Sequence, residues 1–174
     1  MADMQEEGRR QDGRDRLNDT TSYQRCFVCG ARNPFGLQLR FRQEGDEVVA
    51  DFMPEERHQG FPGTVHGGIL AALLDETLNR APVLLGQWVM TARLNLRFRR
   101  PAPIGQMLQI RAKLDYVRSR FYTARGAIHL AADSRVIYAE AEGSFLPIPP
   151  EITEAVLATY PDLIAWVRPD EQAF

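Results

Sequence analysis

Cysteine is nearly missing from the 174-residue chain: Cys26 and Cys29 are the two present. That is too few for the disulfide framework of a small secreted domain, and it agrees with a reducing compartment. Long apolar runs are missing as well. No stretch reaches the ~18 residues of a membrane span, and residues 1–25 lack the apolar core of a signal peptide. The expectation is a cytoplasmic chain without membrane contact. Neither sign of charge dominates: the formal net charge is −2, so nothing global draws the chain to nucleic acid or to an anionic surface. The few aromatics do not interleave with the basic positions as stacking platforms would, which also argues against nucleic acid. What is there, 44% hydrophobic and 25% charged residues, suits one compact domain with a sizeable core rather than two.

The chain is organised around residues 65–81. After His66-Gly67-Gly68 come Ile69 to Leu74, six apolar residues in a row, which is how a helix reads when it is apolar nearly all round and buried. Asp75 falls in the second half of that helix. A carboxylate there is costly to desolvate and therefore has a partner or a job, while Glu76 beside it reads as a solvated or ion-paired neighbour. At the helix start, unpaired N–H groups and the positive end of the dipole can stabilise an anion, and Gly67 and Gly68 let a ligand approach the backbone.

Residues 1–25 are polar and charged, with Leu17 and Tyr23 almost alone as apolar side chains, and read as a flexible arm that a partner subunit could order. Cys26-Phe27-Val28-Cys29-Gly30 has the spacing of half a zinc site or of a redox pair. There is no second C-x-x-C, and His58, His66 and His129 form no matching ligand pair, so the expectation is a tight turn with two structural thiols and no metal. Alternation over residues 37–42 and 47–53 predicts two short strands joined around Gly45-Asp46. A loop with His58, Gln59 and Gly60 leads into the helix. Long strands follow at about residues 87–100, 106–118, 120–132 and 135–146, then a short helix over 151–159 within a tail running to residue 174.

One buried helix followed by long antiparallel strands is an α+β pattern in which a sheet wraps the helix. Alternation places Met90, Ala92, Leu94, Leu96 and Phe98 on one face of the first long strand, and Thr91, Arg93, Asn95, Arg97 and Arg99 on the other. Between Val89 and Leu130 stand nine cations (Arg93, Arg97, Arg99, Arg100, Arg111, Lys113, Arg118, Arg120, Arg125) against the single acid Asp115. Such a row is either a charged outer face or a surface for a polyphosphorylated ligand.

Gly63-Thr64-Val65-His66-Gly67-Gly68, with Asp75 nine residues after the histidine, then Arg97-Phe98-Arg99-Arg100-Pro101 and Gly105, resembles the hotdog-fold acyl-coenzyme A thioesterases of the PaaI type. The resemblance covers residues 26–150. It implies a sheet of five to six strands around one long helix, and hydrolysis of an acyl-CoA substrate with no cofactor and no metal. It further implies Asp75 as general base or nucleophile, the Gly67 N–H as oxyanion donor, His66 as orienter of that end, and Thr91 as a residue that helps hold the attacking water. Thioester hydrolysis needs these parts: a base for water, and donors aimed at the developing oxyanion. Many relatives carry Asn six residues before the histidine, where this chain has Gly60, so Gln59 or His58 is the candidate replacement. Gln59, Gly68, Arg99, Arg100 and Arg118 complete the expected substrate contacts.

Plainer roles compete for two of these residues. His66 could simply cap the helix, and Thr91 could be an ordinary strand residue. Two ends of one helix are too far apart to serve one reaction centre. The resemblance accordingly implies a homo-oligomer, a dimer or a dimer of dimers, with active sites shared between chains. Two other activities fit the same fold: a non-catalytic acyl-CoA-binding, regulatory protein, and an enoyl-CoA hydratase. The second lacks the Asp, His and Asn-Pro segment it would need before the helix.

Overall fold

The computed structural model describes residues 17–18, 25–118 and 121–161. The apolar run forms helix α1 (Gly67–Val83), which ends as Pro82 and the positive-φ Gly86 interrupt the helical pattern. Leu70, Leu73, Leu74, Leu78 and Ala81 recur at three- and four-residue spacing and are at most 3% exposed. Each leucine so buried contributes about 1.5–3 kcal/mol, so tertiary packing rather than intrinsic propensity holds the helix.

A six-stranded antiparallel sheet wraps α1. Its strands are β1 (Phe41–Glu44), β2 (Glu47–Phe52), β3 (Val89–Phe98), β4 (Leu108–Arg118), β5 (Phe121–Leu130) and β6 (Asp133–Pro147), in the order β1-β2-β4-β5-β6-β3. Helix α1 therefore carries the chain from β2 to the far edge, where β3 pairs with β6 on one side and leaves its other side open. The inner face supplies Val48, Ala50, Leu108, Ile110, Ala112, Ala124, Ile128 and Phe145, each at most 1% exposed, to the core around the helix. A second helix, α2 (Pro150–Thr159), starts with Pro150 in its first turn, where a missing N–H costs nothing.

Two expectations change. The first strand begins at Phe41 rather than at residue 37, because Gln38 has φ 50 and the backbone N–H groups of Leu37 and Leu39 donate instead to Phe27 and Val28. That pairing pins the Cys26–Gly30 turn to the body of the protein. Of residues 1–25, Leu17, Asn18 and Arg25 are described: Leu17 is 7% exposed, and the Asn18 amide exchanges two hydrogen bonds with the backbone of Phe41 on edge strand β1.

The other change lies in β3. Thr91 pairs with Phe145 and Arg93 with Ser144, so Ala92 is an extra residue, a β-bulge. One inserted residue reverses the alternation. Before the bulge Val89 and Thr91 face inward, and after it Leu94, Leu96 and Phe98 do. Strict alternation placed Thr91 on the polar outer face and Met90 on the inner one. The bulge corrects both, and Met90 is 44% exposed.

Candidate active site

The bulge brings Thr91 against the helix. Its hydroxyl donates to Asp75 Oδ1 at 2.8 Å. Asp75 is half-buried, and its pKa is raised: burial is the main cause, the neighbouring Glu76 charge adds to it, and the Thr91 hydrogen bond opposes it. The result is a carboxylate with one oxygen held and the other left to take a proton, which is what a general base for water needs.

The helix start supplies donors. His66 is the N-cap, and its Nδ1 accepts from the Gly68 N–H at 2.9 Å, so the capping role is real and Gly68 spends its N–H on it rather than on a ligand. With Nδ1 accepting, the neutral ring carries its proton on Nε2. Among the described residues the Gly67 N–H has no acceptor. A pocket of about 350 Å³ opens there, lined by Gly60, Phe61, Val65, His66 and Gly67. Two glycines in this lining sit close to neighbouring side chains. A Cβ on Gly67 would meet the Phe98 ring at 3.2 Å, and one on Gly60 would meet His66 Cα at 3.0 Å. An asparagine in place of Gly60 would therefore push on the cap.

Both proposed replacements for that asparagine already make hydrogen bonds within their own loop. His58 is 5% exposed, accepts from the Glu55 N–H through Nδ1 and packs on Phe52, its pKa lowered by burial and by Arg57. Gln59 Oε1 accepts from the Gly63 N–H at 2.7 Å and closes its own loop.

Three of the nine cations in the row are neutralised across strands. Arg99 grips Glu140 through Nε and Nη2 at 2.8 and 2.6 Å, Arg111 bridges Glu44 and Glu47, and Arg125 pairs with Asp115. Partners on β1, β2 and β6 supply the acids that the linear segment lacks. Arg99 is therefore a paired residue rather than a free phosphate donor, whereas Arg93, Arg97, Arg100, Lys113 and Arg118 have no ion pair among the described residues. Arg120 lies outside them. A groove of about 560 Å³ on the outer face collects several of these charges, including Arg111, Arg125 and Glu140, on the side of the sheet away from Asp75. Of the described cations without an ion pair, Arg100 and Arg118, the two expected at the ligand, are far apart. Arg118 pairs with Phe121 at the sheet end that holds Thr91, and Arg100 follows Phe98 at the end that holds Gly67.

On the opposite side of Asp75, Glu76 Oε1 pairs with Arg80 at 2.8 Å, as an ion-paired neighbour should. Arg80 is 5% exposed, lies over the Phe41 ring and also donates to Cys29 Sγ at 3.1 Å. Cys26 is lowered to about 6, chiefly by the hydrogen bond from the Cys29 thiol, and Cys29 is pushed up in turn. The spacing of the two cysteines drew attention to them, but their partners on α1 lie 47 or more residues away in the chain and had no signal there.

Residues 62–137 match the family model described as thioesterase superfamily. The chain is similar to acyl-coenzyme A thioesterase THEM5 of Homo sapiens, 29% identical over 75% of this chain and 52% of that protein. It is also similar to acyl-coenzyme A thioesterase THEM4 of Bos taurus, 31% identical over 75% of this chain and 54% of that protein. It thus spans about half the length of these curated relatives. A crystal structure of a thioesterase superfamily protein superposes with TM-score 0.66 at 32% identity, covering 71% of this chain and 60% of that one. The sheet-wrapped helix is accordingly the hotdog fold. No helix among the described residues is long and apolar enough to cross a membrane.

Proposed function

The chain belongs to the thioesterase superfamily, and from that membership we propose that it hydrolyses acyl-CoA thioesters to the free acid and CoA. The observation that carries this reading is the Asp75 carboxylate, half-buried and held by Thr91 at 2.8 Å on a helix whose first N–H is free. Asp75 Oδ2 takes a proton from water, and the resulting hydroxide attacks the thioester carbon. The carbonyl oxygen becomes an oxyanion facing the Gly67 N–H, and the C–S bond breaks as CoA leaves as its thiolate and is protonated.

The two halves of this chemistry come from two chains. Eight residues separate Gly67 from Asp75, about 12 Å at 1.5 Å per residue, while base and donors must each lie within ~3 Å of the reacting atoms. Two antiparallel copies of α1 across a two-fold axis set one chain's helix start beside the other's carboxylate. The open edge of β3 beside both groups supports that pairing, and so does the placing of Arg100 and Arg118. Arg100 and Arg118 stand at opposite ends of one sheet, yet in such a dimer Arg100 of one chain and Arg118 of the other flank the same site, where CoA phosphates would sit.

The test is release of free thiol across a series of acyl-CoA lengths. Turnover that disappears in Asp75→Asn supports the reading. Binding of acyl-CoA without turnover of any member would replace it with the ligand-sensing reading.

A further inference from the structure

Among the described residues, one group of metal-ligating side chains converges: the donor atoms of Cys26, Cys29 and Glu76 all lie within 4.8 Å of one another. The cysteines come from the N-terminal turn and the glutamate from α1, one residue after Asp75. The hydrolytic chemistry above uses none of the three.

We propose that Cys26, Cys29 and Glu76 form a zinc site that clamps the N-terminal turn onto the catalytic helix. The turn has the backbone such a site requires. Cys26-x-x-Cys29-Gly30 closes with Gly30 N–H to Cys26 O at 3.0 Å, which folds the two thiols to one side of a tight turn. The third ligand is preset. Glu76 Oε1 is taken by Arg80 at 2.8 Å, which leaves Oε2 toward Cys26 Sγ at 3.9 Å. That separation is long for a thiol hydrogen bond. It is close to the ~3.6 Å edge that Zn–S of ~2.3 Å and Zn–O of ~2.1 Å span at a tetrahedral angle.

Charge points the same way. Two thiolates and one carboxylate carry three negative charges, and the buried Arg80 cancels one of them. A dication brings the cluster to neutrality, which a half-buried site needs. Arg80 Nη2, at 3.1 Å from Cys29 Sγ, then donates to a metal-bound thiolate and orients it. Sulfur and carboxylate together select zinc over calcium or magnesium, which prefer all-oxygen ligands. Cys26 and Glu76 are only partly buried, so the fourth position is open to water.

The site is independent of the thioesterase reading and is tested without an activity assay. Protein purified without chelator should contain about one zinc per chain, dropping below about a tenth in Cys26→Ser while remaining in Asp75→Asn. The metal-free protein titrated with Co²⁺ should develop a thiolate-to-cobalt charge-transfer band that saturates at one equivalent. Cys29→Ser, at the buried position, should lose the band with its fold intact by circular dichroism, and Glu76→Gln should weaken binding while keeping the band. Three results would each overturn the proposal: no zinc and no charge-transfer band in the wild type; zinc retained in Cys26→Ser; or an intact mass two daltons light with unreactive thiols, which marks Cys26–Cys29 as a disulfide pair instead.

Discussion

Replacing Asp75 by Asn removes a charge and little else. The side chain keeps its shape and an oxygen to accept from Thr91, so the 2.8 Å contact can persist. What disappears is the burial of a carboxylate and its repulsion with Glu76, the two causes that raise the Asp75 pKa. An acid with a raised pKa holds its proton more tightly in the folded than in the unfolded chain. Folding stability from this group is therefore greatest in acid and declines as pH rises through the interval between the two pKa values. At neutral pH the wild type carries that penalty and Asp75→Asn does not. For a partly solvated carboxylate the relief is on the order of 1 kcal/mol, which a domain of this size shows as a rise of about 2–4 °C in Tm. Loss of the base should meanwhile cut kcat for acyl-CoA by about 10²–10⁴-fold. Thermal melts of both proteins at about pH 4.5 and about pH 7.5, with free-thiol release as the activity measurement, give the answer. A variant less stable than wild type at neutral pH, or a Tm difference that does not shrink in acid, would refute this account of the carboxylate.

Thr91→Val removes the donor that favours ionised Asp75, so the rising acid limb of kcat/KM should move to higher pH; an unmoved limb would show that the bulge places Thr91 for some other purpose. Arg100→Gln and Arg118→Gln should raise KM for acyl-CoA more than for a short pantetheine thioester, whereas Arg99→Gln should change the two alike because Arg99 is held by Glu140. Leu73→Ala, at 0% exposure on the inner side of α1, should cost about 2–5 kcal/mol in urea or thermal unfolding, and a loss under about 1 kcal/mol would mean that the core collapses around it.

The sheet and its helix were legible because their signals are local and repeated: six apolar residues after a glycine pair, and period-two alternation in β4, whose inner Leu108, Ile110 and Ala112 are buried as the pattern requires. Asp75 was legible for the same reason, as an acid out of place in an apolar helix. The illegible features are all long-range. The bulge at Ala92 depends on how β6 pairs with β3, so the side of Thr91 could not be read from alternation alone. The cationic segment looked more unbalanced than it is because the counter-charges of Arg99 and Arg111, namely Glu140, Glu44 and Glu47, lie on other strands. The cysteine turn looked isolated because Glu76 comes within 4.8 Å of both thiols only after folding.

The proposed shared site can be tested at a single N–H. Gly67→Pro deletes the free donor at the first position of α1, and the helix should tolerate it, because proline suits that position. The preceding His66 already has φ −62 and ψ 134, the extended conformation that a following proline demands. The new Cβ would meet the Phe98 ring at 3.2 Å, but Phe98 is 54% exposed and has room to yield. Gly67→Ala brings the same Cβ and keeps the N–H, so whatever activity Gly67→Pro loses beyond Gly67→Ala belongs to the donor. Removal of one oxyanion donor is expected to lower kcat by about 10²–10³-fold. If each site takes Asp75 from one chain and Gly67 from the other, then a mixed dimer of Asp75→Asn and Gly67→Pro pairs both lesions in one site and leaves the second site whole. Random exchange makes half of the dimers mixed, so activity should recover to about one quarter of wild type. Mixtures that exchange subunits, as shown by native mass spectrometry, yet stay as inactive as their parents would place base and donor in the same chain and require α1 to bend.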